Sequence, residues 1–402
     1  AATPPGKRFF VRTCPFPSLL ISLIGGILLA YSQEQLAWIR LANVHKLGTQ
    51  RFNALLERFG TAQAVWDAPP EEVEAILGKA QNRLLQDARE DDSLDKLLAA
   101  LEKCAAVAVT REDIEYPSLL AEIPDAPPLL YVRGRTELND LRAVAIVGSR
   151  NCSAYGSRMA RRLGRELGET GVTIVSGFAR GIDSFAHRGA IDAGGRTVAV
   201  FGSGVDVVYP PENLELVDEL LEAGGSILSA NPPGTSPTPR VFPARNRIIS
   251  GMSEGTVVVE ASPRSGAMLT ADFARAQGRE LFAVPGQADA LLSAGTNSLI
   301  RSGARLVTCA RDIAADLGWH RPELSSPAAP RAAKILPLQP DEQRVYDQLA
   351  GGALDADALV EATGLPVDRV NSLLTTMEIQ GIIKQIPGRM FERADEIEDS
   401  QV

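Results

Sequence analysis

The stretch AVAIVGSRNCSAYG, residues 143–156, decides the fold class of this chain. Residues 143–148 are small or β-branched apolar residues that end in glycine, as expected of a strand buried on both faces of a parallel sheet. A helical pattern, SRMARRLGRELGET, follows directly. A strand that breaks at glycine and continues as a helix leaves backbone N–H groups free to bind a phosphate at the helix N-terminus. The stretch therefore predicts a βα unit with an anion site.

Six further apolar runs downstream also end in glycine or in a polar residue. Most gaps between the runs hold an amphipathic segment of helix length. Strands that alternate with helices predict an α/β fold with a doubly wound, mostly parallel sheet and right-handed crossovers. The seven predicted strands are 143–148, 172–177, 197–202, 226–230, 256–261, 280–286 and 304–308.

Ligands of such a sheet bind beyond the carboxyl ends of its strands, so the residues after each run are the candidate site. The loop after the fourth predicted strand, residues 231–251, contains three arginines, one phenylalanine and no acid. Arginine beside an aromatic ring suits a polyanion whose bases can stack. The alternative is a solvated loop with one structural arginine. The candidates are Ser149, Arg150, Gly177, Arg180, Gly204, Arg240, Phe242, Arg245, Arg247, Ser265 and Gly266.

Charge limits the kinds of partner that the chain can bind. Its 402 residues are enough for two or three domains, and its net charge of −9 has the wrong sign overall for a nucleic-acid binder. A nucleic-acid role must then rest on a local patch, and residues 142–165 hold six arginines and no acid. This stretch lacks the GxGxxG spacing of dinucleotide sites and the GKS or GKT of a P-loop, which disfavours both kinds of site.

The cysteines and histidines do not indicate metal or redox chemistry. The four cysteines are scattered without a CxxC pair, as in reduced intracellular proteins, and the three histidines are far apart. We therefore expect a cytoplasmic protein that uses no cofactor and no metal.

The segment before the predicted helices, residues 1–33, combines basic residues with an apolar core, Leu19 to Ala30. This core is too short for a comfortable membrane span. The segment is either an upstream extension, which we expect to be disordered, or a targeting-like segment. We expect no stable association with a membrane.

The remaining segments are assigned by their patterns. Residues 34–110 are expected to form a small helical domain, SAM-like or helix-hairpin-helix-like, that either contacts a DNA backbone through turn amides or packs against protein. The other predicted segments are an α/β domain at 116–318, a linker at 328–338, a winged-helix domain at 339–394 and an acidic tail at 395–402.

The third helix of the predicted winged-helix domain offers only Arg369 as a cation, so DNA reading and a protein-interaction or autoinhibitory role both stay open.

Seven motifs in the α/β domain resemble the DNA-processing protein DprA (Smf) family, over roughly residues 116–317. They are IVGSR, VSGFARGIDSFAH, AVFGSGVDVVYPPEN, FPARNRIISGMS, VVVEASPRSGAMLTADFA, GRELFAVPG and GTNSLIRSGA. The resemblance implies a single-stranded DNA-binding protein of natural transformation that protects incoming DNA and loads the RecA recombinase onto it. It also implies an extended Rossmann-like domain that forms a homodimer, for which GTNSLIRSGARLV is the candidate surface.

The family's phosphate pocket matches a subset of the candidates in this sequence. The matching residues are Ser149, Arg150, Gly204, Phe242, Arg245, Asn246 and Arg247. Arg240 is the nearest candidate for a basic residue that often precedes the FP motif in the family. Arg247 can instead be an internal helix partner.

The main alternative is a Rossmann-like nucleotide-binding enzyme that resembles phosphoribohydrolases. Such enzymes need a PGGxGTxxE-type motif with a carboxylate next to the ribose, and this sequence has no such motif. Glu260 and Asp183 are the placed acids, and neither is paired with a nucleophile, a second carboxylate or a histidine at motif spacing. His187 is interpreted as a packing or capping partner. The sequence therefore predicts a binding protein without catalytic residues.

Overall fold

The computed structural model describes residues 20–24, 27–139, 142–319, 339–349, 353–379, 382–386 and 390–393. The chain divides into two compact units, residues 1–320 and residues 321–402. Among the described residues, no helix is both long enough and apolar enough to cross a membrane. The predicted linker 328–338 and acidic tail 395–402 lie wholly outside the described residues, and so does most of the predicted segment 1–33.

Part of the N-terminal segment forms two antiparallel strands, β1 (Leu20–Ile24) and β2 (Ile27–Tyr31). This differs from the disorder expected through residue 33. Two five-residue apolar runs separated by two glycines are a hairpin pattern, which explains the pairing. The Tyr31 hydroxyl accepts a hydrogen bond of 2.9 Å from the backbone N–H of Ala108, so the end of β2 is tied to the chain beyond the helical segment.

Six helices follow, in a segment that the sequence pattern predicts to be helical. The first begins at a capping box in which Ser32 and Gln35 bond each other's backbone N–H. Trp38 and Phe52 meet in the core of this helical segment, with ring centroids 4.8 Å apart. The helices are α1 (Gln33–Ala42), α2 (Gly48–Phe59), α3 (Ala62–Asp67), α4 (Pro70–Leu77), α5 (Lys79–Glu90) and α6 (Ser93–Lys103).

The central sheet has nine strands among the described residues. The predicted seven are confirmed to within three residues at each end, and the strands that precede them are β3 and β4, between which lies a short helix, α7 (Ser118–Ala121). The strands are β3 (Ala106–Thr110), β4 (Leu129–Gly134), β5 (Ala143–Val147), β6 (Thr173–Ser176), β7 (Thr197–Val200), β8 (Ser226–Ser229), β9 (Gly255–Val258), β10 (Glu280–Ala283) and β11 (Arg305–Leu306).

The strand order is β11-β10-β9-β5-β6-β7-β8-β4-β3, with the strands from β11 to β8 parallel and the last two antiparallel. The doubly wound, mostly parallel prediction is confirmed. The chain turns to opposite sides of β5, so a topological switch point lies between β5 and β9. The helices around the sheet are α8 (Ala154–Glu169), α9 (Ile182–Asp192), α10 (Leu214–Glu222), α11 (Val241–Gly251), α12 (Gly266–Ala276), α13 (Leu291–Arg301) and α14 (Ala310–Asp316).

The predicted helical segment 34–110 ends earlier in the structure, because its last five residues are strand β3. The run AVAVT is fully buried and pairs with β4, which in turn pairs with β8. A short apolar run cannot be distinguished from a buried helix segment by its periodicity, so only the pairing identifies it as a strand.

The second unit is a winged helix, which confirms that prediction. Its three helices bury Val345, Leu359, Val370 and Met377 in one core. Arg369, the cation of the third helix, is paired with Asp341 at 3.1 Å. The elements are α15 (Pro340–Gln348), β12 (Leu354–Asp355), α16 (Ala356–Thr363), α17 (Val367–Ile379), β13 (Ile383–Ile386) and β14 (Met390–Arg393), and the antiparallel strand order is β12-β14-β13.

Candidate functional site

Two adjoining clefts lie at the carboxyl ends of the parallel strands. The larger, of about 600 Å³, lies beyond β5 and β9, at the switch point. The smaller, of about 210 Å³, lies beyond β6. We call the two together the strand-end cleft. Its walls bring together nine of the twelve predicted site residues: Ser149, Arg150, Gly177, Arg180, Phe242, Arg245, Asn246, Ser265 and Gly266.

An exposed arginine and an aromatic ring form one wall of the strand-end cleft. The guanidinium carbon of Arg150 lies over the Phe242 ring, 5.4 Å from its centroid. Arg180 is paired with Glu212 at 2.5 Å, and more than half of each side chain is exposed. Exposed pairs of this kind contribute little free energy, so Arg180 can exchange its carboxylate for a phosphate at small cost.

Arg245 has a different environment from the exposed arginines. The sequence predicts a loop over residues 231–251, but residues 241–251 form α11, and only 6% of Arg245 is exposed. Its guanidinium donates to the carbonyl oxygens of Gly177, at 2.5 Å, and Val200. Burial lowers the pKa of Arg245 to about 10, with nearby Asp183 opposing the shift, so the group is a cation at neutral pH. Arg245 therefore links the ends of β6 and β7 and places a fixed positive charge below the cleft.

Gly177 allows the buried arginine and Asp183 to approach each other. A Cβ atom at this position would lie 2.7 Å from Oδ2 of Asp183 and 2.8 Å from Nη2 of Arg245, so no side chain fits. The next residue, Phe178, has a φ of 59°, an uncommon value for a residue other than glycine. The Asn213 side-chain amide donates to the Phe178 carbonyl at 2.9 Å, which helps to hold this strained turn.

The remaining three candidates lie outside the walls of the strand-end cleft. Arg247 is only 17% exposed and pairs with Asp125 at 3.2 Å, so it is an internal partner of α11. The N–H of Gly204 donates to the Thr235 carbonyl at 2.9 Å, which joins the loops after β7 and β8. Arg240 directly precedes α11, is exposed, and has no side-chain partner among the described residues.

The N-terminus of α8, which the sequence predicts as a phosphate site, is occupied by the chain's own carboxylate. Glu260 is only 3% exposed and accepts hydrogen bonds from the Ser153 N–H at 2.8 Å and the Ser153 hydroxyl at 2.5 Å. A Cβ atom at Gly156 would lie 2.3 Å from Oε2 of Glu260, so the carboxylate fills the space in front of the helix. The prediction of an anion site at this helix is therefore wrong.

The N-terminus of α12 remains open toward the larger cleft. Ser265 caps it by accepting from the N–H of Ala267 at 3.3 Å. Gly266 has open space where a Cβ atom would lie, and its carbonyl accepts from the Asn246 amide at 3.3 Å. Ser265 and Gly266 at the start of α12 therefore line the larger cleft together with Arg150 and Asn246.

Tyr209 is a cleft residue outside the set of predicted site residues. Tyr209 lines both parts of the strand-end cleft, and its ring centroid lies 5.5 Å from that of Phe242. It belongs to the motif AVFGSGVDVVYPPEN, which follows the third predicted strand. Because Tyr209 lies seven residues after the end of that predicted strand, the sequence pattern gives no sign that it lies near Phe242.

His187 is a packing residue, as expected. Its Nδ1 lies 2.6 Å from the hydroxyl of Thr197, which itself donates to the Ile174 carbonyl. Burial lowers the pKa of His187 to about 3, so the ring is neutral at neutral pH. Within the part of the chain that the structure describes, no three His, Cys, Asp or Glu side chains are grouped to hold a metal ion.

Comparison with protein-family models identifies three matching regions. The description "DNA recombination-mediator protein A" matches residues 107–318, more than half of the chain. "DprA-like N-terminal HHH domain" matches residues 32–89, and "DprA winged helix domain" matches residues 327–389. In the order given, the three regions correspond to the domain of the central sheet, the helical segment and the winged helix.

Individual relatives are similar over most of their length. Protein Smf of Synechocystis sp. is 31% identical over 396 residues, covering 90% of this chain and 99% of its own. Protein Smf of Escherichia coli is 36% identical over 334 residues, which cover 81% of this chain and 89% of that protein. The X-ray structure of DNA processing protein A from Streptococcus pneumoniae matches with a TM-score of 0.63 and 36% identity, covering 70% of this chain and 97% of that one.

The charge of buried Asp183 gives a testable pH dependence. Burial raises the pKa of Asp183 to about 6, with Arg245 opposing the shift, from an ordinary value of 3.8. Between these values the folded state binds more protons than the unfolded state, so this group makes the free energy of unfolding fall as pH rises from about 4 to 6. Asp183→Asn cannot bind this proton, so the variant lacks the extra stability that the wild type has at acid pH. The free energy of unfolding of the variant should lie further below that of the wild type at pH 5 than at pH 7, by about 1 kcal/mol.

Urea unfolding at the two pH values measures this difference. Asp218→Asn, at an exposed position on α10, is the control and should change nothing between the two pH values. An Asp183→Asn deficit that is the same at both pH values would contradict the assignment of this charge.

Proposed function

This chain belongs to the DNA recombination-mediator protein A family, known as DprA or Smf, and we propose on that premise that its strand-end cleft binds single-stranded DNA. The observation that carries the proposal is the exposed Arg150 guanidinium over the Phe242 ring, at the switch point of the sheet. A guanidinium pairs with phosphate, and an aromatic cluster offers a face to bases. Among the described residues that line the cleft, the one carboxylate is Asp183, which is buried beside Arg245.

We assign the predicted residues three roles. The exposed Arg150, Arg180 and Arg240 contact phosphates, and Ser149, Asn246, Ser265 and Gly266 offer polar groups along the wall. Arg245 and Gly177 hold the strand ends in place and supply positive potential. Gly204 and Arg247 keep the surrounding loops and α11 in position. A single strand is preferred because its bases are free to stack on an aromatic face, whereas the bases of a duplex are already stacked.

A binding role is favoured over a nucleotide-hydrolysing enzyme because Glu260 and Asp183 are both held in hydrogen bonds within the chain. Glu260 caps the start of α8, and Asp183 is buried with its Oδ2 accepting from the Ala179 N–H at 3.2 Å. The hydroxyl that bonds Glu260, that of Ser153, is itself the N-cap of α8, since it accepts from the Gly156 N–H at 3.1 Å. We infer that the chain binds DNA without changing it covalently.

The wider biological role follows from family membership. We propose that the chain protects incoming single-stranded DNA and loads the RecA recombinase onto it during natural transformation, in the cytoplasm. The winged helix is available for a separate contact, and its excess of acids, nine against five basic residues in 339–394, favours a protein partner over DNA.

Salt dependence and strand preference test DNA binding. If the three exposed arginines neutralise three phosphates, the log–log plot of affinity against salt should have a slope of about −2 for a single strand. The measurement is fluorescence anisotropy with a labelled oligonucleotide across a salt series, with the matching duplex as control. A slope near zero, or tighter binding to the duplex, would count against the proposal.

Dimerisation is proposed through the α13 and β11 end of the sheet. β11 is an edge strand with Leu306 exposed, and Leu291 is exposed at the start of α13. An open edge beside exposed leucines favours pairing with a second copy. Light scattering should find a dimer for the wild type and a monomer for the double variant Leu291→Lys, Leu306→Lys.

Leu214→Lys is the matched control, because Leu214 is an exposed leucine on α10, away from this edge. It should remain a dimer. A monomeric wild type, or a double variant that still dimerises, would remove this surface from consideration.

A further inference from the structure

Tyr209 is an exposed aromatic side chain of the strand-end cleft. It is 41% exposed, and its hydroxyl has no hydrogen-bond partner among the described residues. The other exposed aromatic side chain in the described part of the chain is Tyr155, whose hydroxyl donates to the Pro285 carbonyl at 2.9 Å. Exposure of both the ring and the hydroxyl therefore distinguishes Tyr209, and it occurs beside the arginines of the cleft.

Phe242, in contrast, is enclosed by its neighbours. The Arg150 guanidinium lies over its ring, and the Tyr209 ring is tilted by 38° against it at 5.5 Å. The backbone at Gly202 closes another side, since a Cβ atom built there would lie 3.1 Å from Cδ1 and 3.5 Å from Cε1 of Phe242. The Tyr209 side chain is therefore the more accessible of the two rings, whereas stacking on the covered face of Phe242 requires Arg150 to move.

The surroundings of Tyr209 suit a nucleotide. The smaller cleft beside it is lined by Arg150, Arg180 and Arg245, and no carboxylate is among its described lining residues. Guanidinium groups within one cleft of a free aromatic face can hold a phosphate while the attached base stacks.

We propose that Tyr209 is the residue on which a base of the bound strand stacks, and that Phe242 is a positioning residue that holds Tyr209 and Arg150. This inference rests on the proposed function, because it names the base contact within the same cleft. Stacking on a ring face does not depend on base identity, so Tyr209 provides affinity for bases without sequence preference.

Two oligonucleotides of equal length and charge separate base contacts from phosphate contacts. One is oligo-dT, and the other carries abasic spacers in place of the thymidines. Fluorescence anisotropy of the full chain should show wild type preferring oligo-dT by roughly tenfold, within the range of one stacked base. Tyr209→Leu should lose this preference while its affinity for the abasic strand stays within about twofold of wild type, since phosphate contacts remain. Tyr209→Phe should retain the preference.

The control variants distinguish stacking from a structural effect. Tyr155→Leu should bind both strands like the wild type, because Tyr155 lies outside the cleft. Phe242→Leu should weaken binding to both strands, because it releases Arg150. The proposal is overturned if Tyr209→Leu weakens binding to both strands equally. It is also overturned if Phe242→Leu abolishes the preference for oligo-dT while Tyr209→Leu retains it. A wild type that binds both strands equally overturns the stacking proposal but not DNA binding, and a wild type that binds neither overturns both.

A crosslinking measurement on the wild-type chain does not depend on how the variants fold. Oligonucleotides that carry 5-iodouracil crosslink under ultraviolet light to aromatic side chains in contact with the base. Peptide mapping by mass spectrometry should identify Tyr209 as the modified residue. Modification of Phe242 in its place would show that the roles of the two rings are reversed.

Discussion

The site depends on one buried cation. Arg245 extends from α11 into the sheet and donates to carbonyl groups at the ends of β6 and β7, with Asp183 as its nearby counter-charge. A buried charge is costly unless it is paired and hydrogen-bonded, so the surrounding backbone is constrained to supply its acceptors. Gly177 follows from this constraint, because a Cβ atom there would collide with Arg245 and Asp183, and the left-handed turn at Phe178 comes directly after it. The loop that carries Arg180 is thereby fixed beside Arg150 and Phe242.

The division between buried and exposed arginines explains how an acidic protein can bind a polyanion. At a net charge of −9, long-range attraction cannot bring DNA to the chain as a whole. Many arginines are neutralised in pairs, among them Arg161 with Asp192, Arg162 with Glu166 and Arg247 with Asp125. Arg150 lies instead over a ring, and Arg245 contributes its charge from below. These two cations line the cleft at the switch point of the sheet.

Local pattern predicted most of the fold, because buried parallel strands and their helices leave short-range periodicity in the sequence. The motifs after the strands likewise located nine residues of one cleft. What the sequence did not predict depends on long-range contacts. Glu260 caps a helix that begins more than a hundred residues earlier, and Arg245 becomes buried only when α11 packs on the sheet. β3 is recognisable as a strand only by its pairing, and Tyr209 became a candidate only once its ring was seen beside Phe242.

The most direct test of the account compares two exposed arginines in one domain. Arg150 lies over Phe242 in the cleft, whereas Arg158 is exposed on α8 outside the cleft walls. The affinity of Arg150→Ala for single-stranded DNA should fall by about 1–3 kcal/mol, because a charge-assisted contact is lost. Arg158→Ala should stay within about twofold of the wild type, or 0.4 kcal/mol. Equal losses in both variants, or an unchanged affinity for folded Arg150→Ala, would contradict the claim that this cleft binds the strand.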